Sequence, residues 1–228
     1  MEPSEIFWSP HYMRHNQRRQ EHLASLGLDL ASQTVLEVGA GIGDHTSFFL
    51  DRDCSIVVTE AQDQNLVILR ARYPELKVRQ LDLDDPADDI ERASIVYCYG
   101  TLYHLEHPAE AIAWMSERTE KLLLVETCVA YGDDEVVHPF DERVGQPDNA
   151  VRGHGCRPTR PWLRRELARH FPYVYCPITQ PWHSEFPLDW ADPNLAGEPL
   201  IRAVFVASRK RLVNSLLTTS VPVRQVRH

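Results

Sequence analysis

Residues 35–43 read VLEVGAGIG, an apolar run that passes directly into a loop with glycine at every second position. The run is typical of a buried strand, and Gly39, Gly41 and Gly43 permit a tight turn in which backbone N–H groups approach a ligand. A helical pattern follows, so a helix dipole would point at that ligand. This strand–loop–helix unit predicts an open α/β sheet that binds a ligand at the carboxyl ends of its strands.

The same alternation of strand and helix continues along the chain. We predict strands at residues 34–38, 55–59, 77–81, 94–99, 122–126, 173–176 and 201–207. Helical spacing is found at residues 11–26, 44–50, 65–73 and 108–119, and again from about 159. Continuous apolar strands separated by helices are typical of a parallel sheet covered on both faces. We therefore predict an α/β protein with a doubly wound sheet.

A chain of 228 residues is long enough for one domain with a full core. We divide it into an N-terminal helical cap at 1–30, an α/β domain at 31–208 and a basic tail at 209–228. Two mostly polar stretches, 131–158 and 177–199, interrupt the alternation. Long irregular segments in a compact domain usually carry function, so we interpret both as inserted substrate loops.

Charge and composition limit the classes of partner. The formal net charge of −9 argues against nucleic acid, which needs clustered cations. We interpret the two short basic clusters as solvated surface. They are Arg14, Arg18 and Arg19, and Arg209, Lys210, Arg211, Arg224 and Arg227.

The chain has no apolar run near the roughly 20 residues that span a bilayer, and residues 1–10 do not resemble a secretory signal. We expect a cytoplasmic monomer or homodimer without membrane contact. Five cysteines, an odd number with no CxxC spacing, argue against a disulfide framework or a structural zinc site.

Three acidic residues stand near strand ends around the glycine loop. Glu37 lies two residues before Gly39, Glu60 ends the second predicted strand and Asp82 follows the third. The glycine spacing is GxGxG, whereas a dinucleotide-binding loop usually reads GxGxxG. A carboxylate beside the loop would repel a pyrophosphate but would pair with an ammonium group. The predicted ligand is a nucleoside that carries an amino acid, with Glu60 on the ribose hydroxyls and Asp82 on the adenine amino group.

These residues, together with the block YCYGTLYHLEH at 97–107, resemble the successive motifs of class I S-adenosylmethionine-dependent methyltransferases. The resemblance covers about residues 30–130. It implies a seven-stranded, mostly parallel sheet with an antiparallel last strand, and S-adenosyl-L-methionine as cofactor, with S-adenosyl-L-homocysteine as product. It also implies in-line transfer of a methyl group to an O or N atom, here of a small-molecule acceptor.

The residues that the resemblance assigns to the cofactor follow the same motifs. They are Glu37, Gly39, Ala40, Gly41, Gly43, Glu60, Ala61, Asp82, Leu83, Tyr99 and Gly100. To these we add Tyr12 and Arg14, which could fold over the cofactor from the N-terminal helix, with helix surface as the alternative.

A hydroxyl or ammonium acceptor must lose a proton, usually to His, Asp or Glu. His104 follows the fourth predicted strand and is the first candidate for this base, although a structural role for it stays open. His138 and His154 in the first inserted loop are reserve candidates, as are Asp141 and His183. No spacing matches a metal-binding pattern, so we predict no metal site.

Other interpretations remain. A methyltransferase that acts on RNA or protein would be expected to show a broad basic face. A nicotinamide-dependent oxidoreductase is disfavoured by the glycine spacing and by Glu37. A non-catalytic protein with the same fold is a further alternative.

Overall fold

The computed structural model describes residues 2–87, 89–191 and 200–228. The helices are α1 (Pro3–Phe7), α2 (Pro10–Ser25), α3 (Thr46–Leu50), α4 (Asp63–Arg72), α5 (Pro108–Arg118) and α6 (Arg160–His170). The first five strands are β1 (Thr34–Val38), β2 (Ser55–Glu60), β3 (Lys77–Gln80), β4 (Ala93–Tyr99) and β5 (Thr119–Val129). The others are β6 (Val137–Asp141), β7 (His154–Pro158), β8 (Tyr173–Pro177), β9 (Thr179–Gln180), β10 (Ile201–Ser208), β11 (Leu217–Thr218) and β12 (Val226–Arg227).

The central sheet has eight strands in the order β11-β8-β10-β5-β4-β1-β2-β3. Strands β1 to β5 run parallel to one another, whereas β10 is antiparallel to both of its neighbours, β5 and β8. The predicted seven-stranded, mostly parallel sheet with an antiparallel last strand is thereby confirmed. The short strand β11 adds an eighth strand at the β8 edge.

Helices cover both faces of the sheet, and side chains alternate between two cores. On β4, Val96 and Cys98 point into one core, which α5 and α6 cover, while Tyr97 and Tyr99 point into the other. The second core lies beneath α2, α3 and α4. Strand β4 is buried throughout its length. A strand covered on both faces requires mostly apolar side chains, which fits the sequence of β4.

The first inserted loop is more regular than predicted. Within 131–158, β6 and β7 form an antiparallel hairpin, and residues 142–153 connect them. Strand β5 is also longer than predicted, since it stays paired with β10 from Leu122 to Val129. The hairpin was not predicted because β6 is almost fully exposed and therefore lacks the apolar alternation of a half-buried strand. Of the second loop, residues 192–199 lie outside the described part of the chain.

The basic C-terminal segment packs back onto the domain. β11 pairs with β8, and β12 pairs with β9. The guanidinium of Arg209 donates to the carbonyl oxygens of Ser116 and His170 at 2.6 and 2.7 Å, near the last turns of α5 and α6. A cation at a helix C-terminus satisfies orphan carbonyls and the helix dipole. Our interpretation of Arg209 as solvated surface is therefore wrong.

Within the described ranges, no helix combines the length and the apolar character that a membrane crossing requires.

Candidate active site

A cleft opens at the carboxyl ends of β1, β2 and β4 and has an empty volume of about 1070 Å³. This is the edge of an open α/β sheet where ligands bind. Its floor is formed by the loops that follow these strands, and α2 and the hairpin loop 142–153 line the opposite side. Of the predicted cofactor residues, the cleft is lined by Tyr12, Glu37, Gly39, Ala40, Gly41, Glu60, Ala61, Asp82, Leu83, Tyr99 and Gly100.

The glycine loop turns tightly because all three of its glycines have left-handed backbone. Gly39 has φ +68° and Gly41 has φ +58°. A Cβ atom on Gly39 would lie 2.1 Å from Oγ1 of Thr101, so the residue must lack a side chain. Gly43 has φ +84° but is not among the described residues that line the cleft, and its carbonyl accepts from the Tyr73 hydroxyl at 2.9 Å. Gly43 therefore closes the turn and does not itself border the ligand space.

Glu60 ties the glycine loop to the start of α4. One carboxylate oxygen accepts from the N–H of Gly41 at 2.8 Å, and the other accepts from the N–H of Gln62 at 2.9 Å. Burial raises the pKa of Glu60, and these hydrogen bonds act in the opposite direction. The side-chain amide of Asn65 is a third donor, 3.3 Å from Oε1, which leaves about one of the four lone-pair sites of the carboxylate for a ribose hydroxyl.

Glu37 is buried at the end of β1, where it accepts a hydrogen bond of 2.7 Å from the hydroxyl of Thr46. Burial raises its pKa to about 7. A buried carboxylate with one neutral partner is stabilised in its charged form when a cation reaches it. The side chain therefore suits the ammonium group that the sequence predicted.

Asp82 lies on the cleft wall next to Leu83. Its Oδ1 accepts from the N–H of Asp84 at 2.9 Å, and its Oδ2 accepts from the guanidinium of Arg152 at 2.9 Å. Arg152 belongs to the hairpin loop, so this ion pair fixes one end of the loop to the strand edge. The predicted contact with an adenine amino group stays a prediction.

Several further hydrogen bonds hold the hairpin loop over the cleft. The hydroxyl of Tyr12 on α2 donates to Asp148 at 3.2 Å. The side-chain amide of Gln62 donates to the carbonyls of Gln146 and Asn149 at 2.9 and 2.8 Å. Asn65 on α4 donates to the carbonyl of Pro147 at 2.8 Å. The loop is thus fastened from two sides, as a cover over the ligand space.

The N-terminal helix reaches the cleft with Arg19 and not with Arg14. Arg14 is exposed, and the part of the chain that the structure describes does not place it on the cleft. Arg19 is buried, lines the cleft and approaches Glu126 at 3.4 Å. Its position five residues further along α2 turns it to the inner face of the helix. The prediction for Arg14 is therefore not supported by its place in the fold.

His104 lies at the border between the cleft and a second cavity. Its Nδ1 is 2.6 Å from Oε2 of Glu142, the residue that begins the hairpin loop. Burial alone would raise the pKa of Glu142, but the hydrogen bond and charge of His104 lower it below its ordinary value. The ionised carboxylate orients the ring and favours the tautomer with a proton on Nδ1. Nε2 then has the lone pair that a general base needs.

The two reserve histidines of the hairpin lie away from the cleft. His138 and His154 are both exposed on the hairpin, and His154 pairs with Asp141 at 3.1 Å. Neither is among the described residues that line the cleft or the second cavity. The prediction that they act as bases is not supported, because hairpin formation leaves their side chains in solvent.

The second cavity is open to solvent and adjoins the cleft, with which it shares Tyr12, Tyr103, His104, Asp148, Asn149 and Arg202. A buried ion network forms its wall. Arg202 on β10 donates to Glu185 at 2.5 Å and to Glu126 at 3.1 Å. Glu126, on β5, is paired with both Arg202 and Arg19.

Residue-by-residue reasoning missed several polar residues of the site, among them Arg19, His45, Glu142 and Arg202. His45, next to the glycine loop, is hydrogen-bonded to the hydroxyl of Tyr97. Burial, and then the charge of Arg19, lowers the pKa of His45 well below its ordinary value. The sequence did contain one signal for Arg202, which is its position inside an apolar strand. A buried arginine needs a paired carboxylate, so this position indicates a buried ion pair.

Comparison with solved structures finds several proteins with a similar fold. The N-terminal domain of EvdMO1, crystallised in the presence of SAH and D-fucose, is 18% identical, with a TM-score of 0.65 over 89% of this chain and 85% of that one. A methyltransferase from Mesorhizobium loti is 15% identical, with a TM-score of 0.60 over 84% and 98%. CalS10 from Micromonospora echinaspora, described as an amino pentose methyltransferase, is 17% identical, with a TM-score of 0.54 over 86% and 90%.

No protein-family model and no curated protein matches the sequence. The structural likeness nevertheless shows that the chain has the fold of class I S-adenosylmethionine-dependent methyltransferases.

Proposed function

We propose that this protein transfers a methyl group from S-adenosyl-L-methionine to a hydroxyl group of a small polar molecule, with S-adenosyl-L-homocysteine as the second product. The observation that carries the proposal is the assembly of Glu37, the glycine loop and Glu60 around one cleft of this fold. Structural neighbours crystallised with SAH or SAM, among them EvdMO1 and CalS10, support it.

The residues present fit the cofactor in charge and in hydrogen-bonding capacity. Glu37 offers a buried carboxylate to an ammonium group, and Arg19 offers a buried cation to a carboxylate. Glu60, at the end of β2, offers a remaining acceptor site to a ribose hydroxyl. The bound cofactor supplies an electrophilic methyl group on a sulfonium, so the protein mainly has to align the acceptor and exclude water.

His104 is the base in this proposal. An alcohol is a weak nucleophile while it keeps its proton, so a general base near the methyl group accelerates its reaction. The hydrogen bond of 2.6 Å to Glu142 holds the imidazole in one orientation and stabilises the imidazolium once the proton has moved. The arrangement has the same logic as the carboxylate–histidine pair of hydrolases.

The second cavity is the proposed acceptor site. It is lined by charged and hydrogen-bonding side chains such as His11, His15, Arg143, Arg157 and Asp148, which suit an acceptor rich in hydroxyl groups. The solved structure with D-fucose present and that of the amino pentose methyltransferase favour sugars and amino sugars as the class to test. The net charge of −9 argues against RNA as the acceptor.

An acceptor screen tests the proposal. Purified protein would be incubated with methyl-labelled cofactor and panels of free sugars, amino sugars, glycosides, RNA and proteins. We expect label to enter an O atom of a sugar-like molecule, and a variant with His104→Asn to lose most of this transfer. Label found only in RNA or protein, or at a nitrogen with the variant fully active, would contradict the proposed acceptor and base.

A further inference from the structure

Three potential metal ligands meet at the outer side of the second cavity. His11 lies in the first turn of α2, and His183 and Glu185 lie in the segment after β9. One ligand atom of each of the three comes within 4.8 Å of the others. Nε2 of His11 is 3.2 Å from Oε1 of Glu185. Two imidazoles and one carboxylate are a donor set that Zn²⁺ and related divalent ions prefer.

His15 provides a second, independent indication. It follows His11 by one helical turn and is only 2% exposed. Its Nε2 has no hydrogen-bond partner among the residues that the structure describes, although it lies 3.6 Å from Oε2 of Glu185. Its ring centre is 4.8 Å from that of His183. A buried ring nitrogen without a partner is costly, and a bound ion would satisfy it.

The carboxylate of Glu185 is held in place from behind. Oε2 accepts from Nε of Arg202 at 2.5 Å, and the carbonyl of Glu185 accepts from the N–H of Arg202 at 2.7 Å. This leaves Oε1 to face His11. Arg202 is also balanced by Glu126, so the site is not left with a free cation beside it. Outer hydrogen bonds that fix a ligating carboxylate in this way are typical of metal sites.

We propose that His11, His183 and Glu185, joined by His15, bind one divalent transition-metal ion of the zinc class. Metal–nitrogen bonds of about 2.0–2.1 Å place ligand atoms about 3.3 Å apart, so separations within 4.8 Å must close by at most about 1.5 Å. His11 has room for this movement, because its side chain is 58% exposed. The ion would lie beside the second cavity, which His11, His15 and Glu185 line, and apart from the glycine loop.

Cobalt and zinc titrations test this site in the full-length protein after removal of metal with a chelator. Visible absorption of Co²⁺ reports nitrogen and oxygen coordination, and competition with a chromophoric chelator gives the affinity for Zn²⁺. We expect one ion per chain. His11→Ala and His183→Ala should each weaken zinc binding at least tenfold. His138→Ala, which removes an exposed histidine of the hairpin, should leave the affinity unchanged.

Circular dichroism would establish that each variant is folded. If His183→Ala does not fold, His11→Ala alone tests the site, because His11 is exposed and its replacement should not affect folding. The proposal is overturned if the unmodified protein binds Zn²⁺ no more tightly than folded His11→Ala, or if His138→Ala weakens binding equally. None of these readouts depends on methyl transfer.

Discussion

The two halves of the site are built in different ways. At the glycine loop and Glu37, the contacts join residues that are close in the chain: Gly41 and Glu60 are 19 residues apart, and Glu37 and Thr46 are 9 apart. On the acceptor side, Tyr12 contacts Asp148 across 136 residues, and Arg202 contacts Glu126 across 76. Neighbouring strands and the loops after them are enough to form these cofactor-side contacts. The second half exists only once the N-terminal helix, the hairpin and β10 have packed together.

This difference leads to an expectation about variants. Changes at the glycine loop should abolish cofactor binding while leaving the acceptor side in place. Changes on the acceptor side should affect turnover or ligand exchange and leave the strand-edge contacts intact.

The largest effect is expected at Gly39. Gly39→Ala places a methyl group 2.1 Å from Oγ1 of Thr101 on a backbone with φ +68°, so the loop must move. We expect binding of S-adenosyl-L-homocysteine to weaken about a hundredfold or more, which corresponds to about 2.7 kcal/mol, as measured by calorimetry. Gly27→Ala is the matched control, since Gly27 has φ +61° with nothing within 4 Å. Equal losses in both variants would show that backbone strain alone explains the effect.

The next effect concerns turnover. His104→Asn and Glu142→Gln should each lower kcat, by about 10²- to 10⁴-fold for His104, because a positioned base contributes that much to proton transfer. Cofactor affinity should change little in His104→Asn. Glu142 acts through His104, so Glu142→Gln should also shift the pH profile of kcat, which a purely structural role would not do. Full turnover by folded His104→Asn would refute the base assignment.

A smaller effect is expected when the cover over the cleft is loosened. Gln62→Ala removes two hydrogen bonds to the hairpin loop, each worth about 1 kcal/mol. Stopped-flow fluorescence should show faster release of S-adenosyl-L-homocysteine, by about five- to thirtyfold. Gln17→Ala, which removes an exposed contact with Glu21 on the outer face of α2, is the control. An unchanged release rate in Gln62→Ala would mean that the loop does not limit ligand exit.

The smallest effect is a pH dependence that originates on the cofactor side. The pKa of Glu37, raised by burial to about 7, means that much of this carboxyl is protonated at pH 6. Binding of an ammonium group requires the carboxylate, so affinity for S-adenosyl-L-homocysteine should rise by about five- to tenfold from pH 6 to pH 7.5. Glu37→Gln should bind more weakly and lose this dependence. A flat profile in the unmodified protein would exclude Glu37 as the partner of the ammonium group.

The same group links pH to the stability of the ligand-free protein. Its folded pKa lies above the ordinary value of 4.5, so the folded state holds the proton more tightly than the unfolded chain. The contribution of Glu37 to the free energy of unfolding is fully present below about pH 4.5 and is lost as the pH rises through about 7.

The sequence predicted the sheet well, and it named most of the residues that line the strand-end side of the cleft, because both depend on local patterns. The strand at residues 34–38 was located at its observed bounds, and Glu37, Gly39, Gly41 and Glu60 meet as expected. The acceptor half was predicted poorly. Glu142 stands in a polar stretch with no periodicity, and its partner His104 is 38 residues away. Such a pairing depends on the hairpin folding back over the sheet, which no local spacing encodes.

The case of Arg14 and Arg19 shows the same limit on a smaller scale. The sequence indicates a helix with several basic residues, but the choice between them depends on which face packs against β4 and β5. The buried face is mostly polar and is formed by His15, Asn16, Arg19 and His22, with Leu23 as its one apolar member. A helix whose buried face is polar gives no hydrophobic stripe from which its orientation could be read.

Calorimetric titration with S-adenosyl-L-homocysteine, alongside NAD⁺, tests the central claim most directly. The account predicts one site per chain with a dissociation constant in the micromolar range or tighter, and no measurable binding of NAD⁺. Absence of S-adenosyl-L-homocysteine binding to well-folded protein, or tight binding of NAD⁺ in its place, would contradict it.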